Sequence, residues 1–403
     1  MLAAQTAPRH AWRELWLIST GHGLTHWYPA TFYLLLPLIG NELGLSYSEI
    51  GLVMTCQFAA SALANIPGGV LVDTVGRKGL LMAASLFWVG FPYLLISLTH
   101  SYFALLACVA LVGFGNSLWH PTAIPALANR YPERKGLVLS VHGMGGNVGD
   151  AIAPVVIGAA LALFSWRQVV VLNVAPGLVV AVLMFALLGG VRPAAKPAAA
   201  QRQTLTQYAA ALAQLLRNRA VLMLSIGSSF RTMTQTALLT FLPVYLARDM
   251  GYAPALVGAC LFALQAAGFA AAPVAGHLSD RMGRKQIVIG SMVSSAVVLA
   301  GMAFAGTSPV FVGLIAVLGF FMYATRPVIQ AWLLEMTPKS MGGSSIGVLF
   351  GAQAVGAAIG PYLAGVVADR HGLPATFYFL AATIVVANLF VFWTPHRREE
   401  ALA

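Results

Sequence analysis

Apolar runs of 20 or more residues, separated by short clusters of charge, glycine and proline, fill the chain, and about 20 apolar residues suffice to cross a bilayer as a helix. The pattern predicts helices over 14–40, 46–71, 79–98, 103–128, 136–164 and 167–190, and a second six over 220–247, 253–278, 285–305, 309–335, 343–368 and 374–395. One long connection, 191–219, opens with the Pro/Ala-rich VRPAAKPAAAQRQ, expected to be flexible. It continues into LTQYAAALAQLLRNR, which fits a short amphipathic helix on a membrane surface. The chain thus divides into a bundle over 1–190, a linker over 191–219 and a bundle over 220–403. The first segment, MLAAQTAPRHAWRE, is too polar and too short for a cleavable signal peptide.

Composition agrees with a membrane protein. Of 403 residues, 59% are apolar and 9% charged, where a soluble protein carries about 25% charged residues. Twelve spans leave no room for a soluble catalytic domain. The formal charge of +11 reflects topology: 18 of the 23 Lys and Arg fall in the termini and the even-numbered connections. The positive-inside rule then places both termini in the cytoplasm and removes the need for a nucleic-acid partner. Cys56, Cys108 and Cys260 each stand alone in an apolar run and read as core residues.

The two halves repeat. Gly69-Val-Leu-Val-Asp73-Thr-Val-Gly76-Arg77-Lys78 is matched by Gly276-His-Leu-Ser-Asp280-Arg281-Met-Gly283-Arg284-Lys285, at an offset of 207 residues. The same offset relates Gly44 to Gly251, Gly51 to Gly258, Gly149 to Gly356, Pro154 to Pro361 and Gly158 to Gly365. With this doubled element the whole chain resembles the major facilitator superfamily. The resemblance implies an all-α membrane protein of two pseudo-symmetric six-helix bundles, with the doubled loop acting as a conformational latch. Gly69 and Gly276 would permit close helix approach, and Asp73 and Asp280 would meet helix N-termini or nearby Arg. Thr74 departs from the basic residue usual at its place, which Arg281 supplies in the second copy.

The fifth span, His142-Gly-Met-Gly145-Gly146-Asn147-Val-Gly149-Asp150-Ala-Ile-Ala153-Pro154, is similar to the antiporter motif of proton-coupled exporters of that superfamily, with Ala153 where Gly usually precedes the Pro. Gly113-Phe-Gly115-Asn116-Ser-Leu-Trp119-His120-Pro121, with His22 upstream, resembles the fosmidomycin-resistance branch of drug exporters. His26 and Thr122 stand where an acidic residue tends to occur there.

An ionisable group at mid-bilayer costs about 2.5–3.5 kcal/mol on insertion scales, so such groups mark function. Away from span ends they are Asp150, Arg231 and Arg326, with His22, His26, His120 and His142. Glu14, Glu42, Glu49 and Glu335 lie near helix ends and read as structural. Gln235 follows Arg231 by one turn, and Tyr323, Arg326 and Gln330 share one helical face. Two guanidiniums and one carboxylate leave positive charge for a bound anion, since the planar fork of Arg suits carboxylate, phosphate or phosphonate. The structural alternative pairs Asp150 with one of the arginines. The expected substrate site is Arg231, Arg326, Gln235, Tyr323 and Gln330 on one wall and His22, His26, Asn116, His120 and Tyr33 on the other, at a midplane between the halves. Asp150, His120 and His142 are the expected proton carriers. Trp27, Tyr28 and Phe32 fit either an amphipathic pocket or packing.

These residues and the resemblance together imply a multi-pass transporter of a bacterial-type cytoplasmic (inner) membrane, expected to be monomeric and to export an amphipathic organic anion or anionic drug against protons. Its partners are then a small anionic solute, protons and lipid. No nucleotide loop of the G-x-x-x-x-G-K-[ST] type occurs, so the proton gradient, and no cofactor, is expected to drive it. Import or exchange of organic acids, metal export through His22 and His26, and a membrane enzyme built on His120, His142 and Asp150 remain open alternatives.

Overall fold

The computed structural model describes residues 9–189, 213, 215–337 and 341–395, with the side chains at 9–11, 65, 66, 69, 70, 73, 74, 342 and 343 outside that description. Thirteen helices occur among the described residues: α1 (Arg9–Glu42), α2 (Tyr47–Val75), α3 (Lys78–Ile96), α4 (Tyr102–Asn116), α5 (Trp119–Arg130), α6 (Lys135–Ala160), α7 (Trp166–Leu188), α8 (Arg219–Arg248), α9 (Pro254–Met282), α10 (Arg284–Ala305), α11 (Pro309–Glu335), α12 (Gly342–His371) and α13 (Leu373–Phe392). Taking α4 and α5 as one segment, these are the twelve spans expected from the apolar pattern. Among the described residues, eight segments are long and apolar enough to cross a membrane by themselves. Helices α1, α6 and α8 have the length but carry the imidazoles, Asp150 and Arg231, which lower their apolar content.

Local chemistry sets the helix boundaries. Asn218 caps α8, its Oδ1 accepting from the backbone N–H of Ala220 at 3.0 Å and of Val221 at 3.1 Å. Ser165 and Gln168 form a capping box at the start of α7. The Pro/Ala-rich part of the 191–219 connection lies outside the described residues.

The expected single helix over 103–128 is instead broken between Asn116 and Trp119. Pro121 has no N–H to give to the carbonyl of Ser117, and the Ser117 hydroxyl donates to the Phe114 carbonyl at 2.8 Å. The Thr122 hydroxyl takes up the Leu118 carbonyl at 2.7 Å. The latch element also differs from expectation, for Asp280 sits in the last turn of α9 and Gly283 alone joins α9 to α10.

The chain forms two compact units, one of residues 1–35 and 60–195 and one of residues 36–59 and 196–403. Within the first, α3 packs on α4 and α7, and Tyr28, Phe32, Tyr93 and Trp119 are wholly buried. The Tyr93 hydroxyl donates to the Tyr28 carbonyl at 2.6 Å, and the Trp27 indole donates to Asn173. Tyr28 and Phe32 are therefore packing residues of this core. Within the second unit, α8 packs on α12 and α13, and α9 on α11. Tyr245, Phe311 and Phe377 stack at its centre with ring centroids 4.9–5.1 Å apart.

The 207-residue repeat is visible in the backbone. Gly44 and Gly251 both adopt positive φ, at 65° and 66°, and Gly76 and Gly283 do so at 67° and 100°. Helix contacts repeat as well. A Cβ at Gly149 of α6 would strike the carbonyl oxygen of Gly23 in α1, and one at Gly356 of α12 would strike that of Ser229 in α8. Small residues thus bring each pair of helices into backbone contact.

The candidate functional site: an imidazole cluster and an arginine pair

The close approach of α1 and α6 assembles the first group. His22 and His26 lie one turn apart on α1, their rings meeting edge to face with centroids 4.8 Å apart. Gly145 and Gly149 admit the α1 backbone, and Gly146 leaves room for both rings: a Cβ there would lie 2.8 Å from His22 Cε1 and 3.0 Å from His26 Nε2. From α6, Asp150 Oδ2 accepts from His26 Nδ1 at 2.9 Å, and the His142 carbonyl accepts from His22 Nδ1 at 2.6 Å. The His142 ring stacks on His22 with centroids 4.0 Å apart. His120, at the start of α5 just past the break, places its Nε2 3.1 Å from His22 Nε2. Four imidazoles and one carboxylate from three helices are thus gathered in the first unit.

Within this group His22 and His142 are buried, His26 and Asp150 half-buried and His120 exposed. The Asp150 pairing answers one alternative directly, because its partner is a histidine and not an arginine. Asn116, the last residue of α4, has a buried Oδ1 with no partner among the described residues. Tyr33 is 7% exposed and sits in the core of α1.

The second group lies in the second unit. Arg231 of α8 is 3% exposed. It donates to Gln235 Oε1 at 3.0 Å and to Thr232 Oγ1 at 3.2 Å, while its Nε has no partner among the described residues. Arg326 and Tyr323 of α11 act on it electrostatically. Tyr323 and Gln330 are half-buried and Arg326 exposed, one face of α11 as the spacing predicts. Among the described residues no carboxylate pairs with either guanidinium. Thr232 was not foreseen as a partner of Arg231, although its place beside the charge was a signal.

The described latch groups cluster at the α9–α10 junction. Arg284 bonds Asp280 at 2.6 Å, Glu335 at 3.0 Å and the Ser279 hydroxyl at 2.6 Å, tying α9, α10 and the end of α11 together. Arg281, expected to serve here, is exposed and finds no partner among the described residues. Its place in the last turn of α9 leaves Asp280 to Arg284, four residues on. A Cβ at Gly276 would meet nothing within 4 Å, so close helix approach is not its role in this structure. In the first copy Gly76 and Arg77 form the turn into α3, while the side-chain positions of Gly69 and Asp73 lie outside the described residues. Glu14 pairs with Arg130 at 3.2 Å, so Glu14 and Glu335 hold structural ion pairs as expected. Because these pairs are solvent-accessible, Arg284→Ala is expected to lower stability by less than about 1 kcal/mol. It should nevertheless speed amide exchange at the α9–α10 junction; hydrogen-exchange mass spectrometry checks both the site and the size of the effect.

The sequence foreshadowed no role for Asp369. Its carboxylate accepts the first backbone N–H groups of α2, Tyr47 at 2.7 Å and Ser48 at 2.9 Å, beside Gly365, whose missing side chain admits Tyr47. All of these residues belong to the second unit.

Comparison with known proteins decides the family. The family model of the Major Facilitator Superfamily matches residues 15–268 and 224–403. The chain belongs to that superfamily. It is 25% identical to the fosmidomycin resistance protein of Escherichia coli (strain K12), over 99% of this chain and 97% of that protein. It is 26% identical to the hexuronate transporter of Bacillus subtilis (strain 168), over 87% of this chain and 86% of that one. Among solved structures, a bacterial homolog to the human lysosomal transporter Spinster superposes with a TM-score of 0.83 at 18% identity, covering 98% of both chains. The protein is accordingly a multi-pass transporter of the superfamily, residing in the bacterial inner membrane.

Proposed function

We propose that this superfamily member is a proton-coupled exporter of an amphipathic organic anion. The carrying observation is the arginine pair: among the described residues, a buried Arg231 has an unpartnered Nε, lies within electrostatic reach of Arg326, and no carboxylate pairs with either. Such charge calls for a counter-ion, and a carboxylate, phosphate or phosphonate fits the fork of donors. Hexuronate, in the name of one relative, is itself a carboxylate, and resistance, in the name of the other, is what export of a toxic solute produces. Gln235, Tyr323 and Gln330 serve as polar neighbours that orient the anion. His22, His26, Asn116, His120 and Tyr33 are the candidate substrate contacts of the first unit.

In this reading Asp150 carries the coupled proton together with the imidazoles around it. His26 bonds it directly, His22 and His120 lie against the His26 ring, and His142 stacks on His22. Both termini lie in the cytoplasm, on the side that collects the Lys and Arg of the connections. The Gly76–Arg77 turn and the Asp280–Arg284 pair bias the conformational equilibrium of alternating access.

Import or exchange of organic acids is the second reading, which the hexuronate transporter supports equally. Substrate-driven proton flux in inverted vesicles separates the two by its sign: export requires protons to move opposite to the anion. Asp150→Asn is expected to flatten the pH dependence of that flux while anion binding persists, and a pH profile like the parent's would remove Asp150 as carrier.

A further inference from the structure

The imidazole cluster has a geometry that proton transfer alone does not require. The ligand atoms of His22, His26 and His120 all lie within 4.8 Å of one another. The His22 and His120 Nε2 atoms are 3.1 Å apart. Two imidazole nitrogens bound at the usual 2.0–2.1 Å to one tetrahedral ion sit about 3.3–3.4 Å apart, so this hydrogen-bonded pair at 3.1 Å would have to part only slightly to take an ion between them.

The outer hydrogen bonds point the same way. A metal-bound histidine donates its remaining ring N–H to a carboxylate or a backbone carbonyl, which fixes the tautomer and turns the other nitrogen's lone pair toward the ion. Both arrangements occur here. His26 Nδ1 faces Asp150 Oδ2 at 2.9 Å, and His22 Nδ1 faces the His142 carbonyl at 2.6 Å. Each bond leaves Nε2 as the nitrogen with a lone pair to give, facing His120 in the case of His22, and His26 Nε2 lies along the same Gly146 gap as the His22 ring. The stacked His142 ring holds the plane of His22. His120 is exposed, so the cluster is not sealed inside the packed core of its unit.

We propose that His22, His26 and His120 form a three-nitrogen site for a divalent first-row transition metal ion such as zinc or cobalt, with Asp150 and the His142 carbonyl orienting two of the rings and one coordination position open. Imidazole ligands favour such ions over magnesium or calcium, which take oxygen. The site shares its imidazoles with the proposed transport path, but it does not rest on the arginines, which belong to the other compact unit, and ion binding is read without any solute or gradient. Protons and the ion compete for the same lone pairs.

The test uses full-length protein purified in detergent through a tag without histidine, stripped with chelator and titrated with cobalt(II) while its visible absorption is followed. One equivalent is expected to bind with the intense ligand-field bands of low coordination number. His120→Gln, at an exposed position, should abolish those bands while the unfolding temperature stays near the parent's. Asp150→Asn should weaken binding about 10- to 100-fold, as loss of an orienting partner does elsewhere, and His277→Gln should change nothing. Absence of cobalt binding by the parent protein would overturn the proposal, as would unchanged bands in both His120→Gln and His26→Gln.

Discussion

Arg231→Gln is expected to weaken binding of small carboxylates and phosphonates about 10- to 100-fold, the range that hydrogen bonds to a charged group contribute. The purified protein should stay as heat-stable as its parent. The two halves of that expectation come from one feature. Among the described residues Arg231 is buried and bonded only to the neutral Gln235 and Thr232, so its removal strands no described carboxylate, which is what makes breaking an ion pair costly. Arg231→Lys should fall between, keeping the charge and losing the two-pronged geometry. Calorimetric titration with a series of organic acids, alongside thermal unfolding in detergent, reads both. If the glutamine variant binds acids as well as the parent, the anion reading fails, whereas the fold and the family assignment are untouched.

The second large effect concerns stability. Gly149→Ala places a methyl group against the Gly23 carbonyl oxygen, which is backbone and has no rotamer to retreat into. Overpacking of this kind costs about 1–3 kcal/mol, and helix propensity returns only about 1 kcal/mol for Gly→Ala. The net result is a marked fall in unfolding temperature, deepened in Gly149→Val. Because the same contact aligns α1 with α6, His26 should also separate from Asp150. Gly143→Ala on the same helix meets nothing within 4 Å and is the control, expected to be neutral or slightly stabilising. Gly356→Ala, against Ser229, should reproduce the loss in the other unit. A neutral Gly149→Ala would show that α1 and α6 are not held at backbone distance.

Much of the fold was legible because bilayer crossing imposes a length on every apolar run. The segment ends follow from charge, capping and glycine, and the observed helices depart from the expected ones by a few residues. The repeat was legible because identical glycines at a 207-residue offset do identical jobs, as Gly44 and Gly251 show with nearly equal φ. The break in the fourth span escaped notice because Ser117 and Thr122 rejoin the interrupted ladder with side chains, leaving the apolar pattern unbroken.

The site was legible by residue type and not by pairing. Periodicity places His22 and His26 on one face of α1, and it places Asp150 on α6. That the two helices touch at Gly23 and Gly149, which sets the register joining His26 to Asp150, depends on packing that periodicity does not encode. Tyr28 and Phe32 show the converse: an aromatic cluster beside the imidazoles turned out to be core. Asp369 went unnoticed because its partners are backbone amides, which leave no mark in the sequence.

That carboxylate also makes the duplication unequal. Shifted by 207 residues, Asp369 falls on Ala162, and the amides it holds fall on Pro254 and Ala255. Alanine has no acceptor to offer and proline no hydrogen to give, so the mirrored clasp is missing at both ends. An artificial protein made by joining two copies of either half would therefore lack this fastening, the first half for want of the carboxylate and the second for want of the hydrogen that proline lacks.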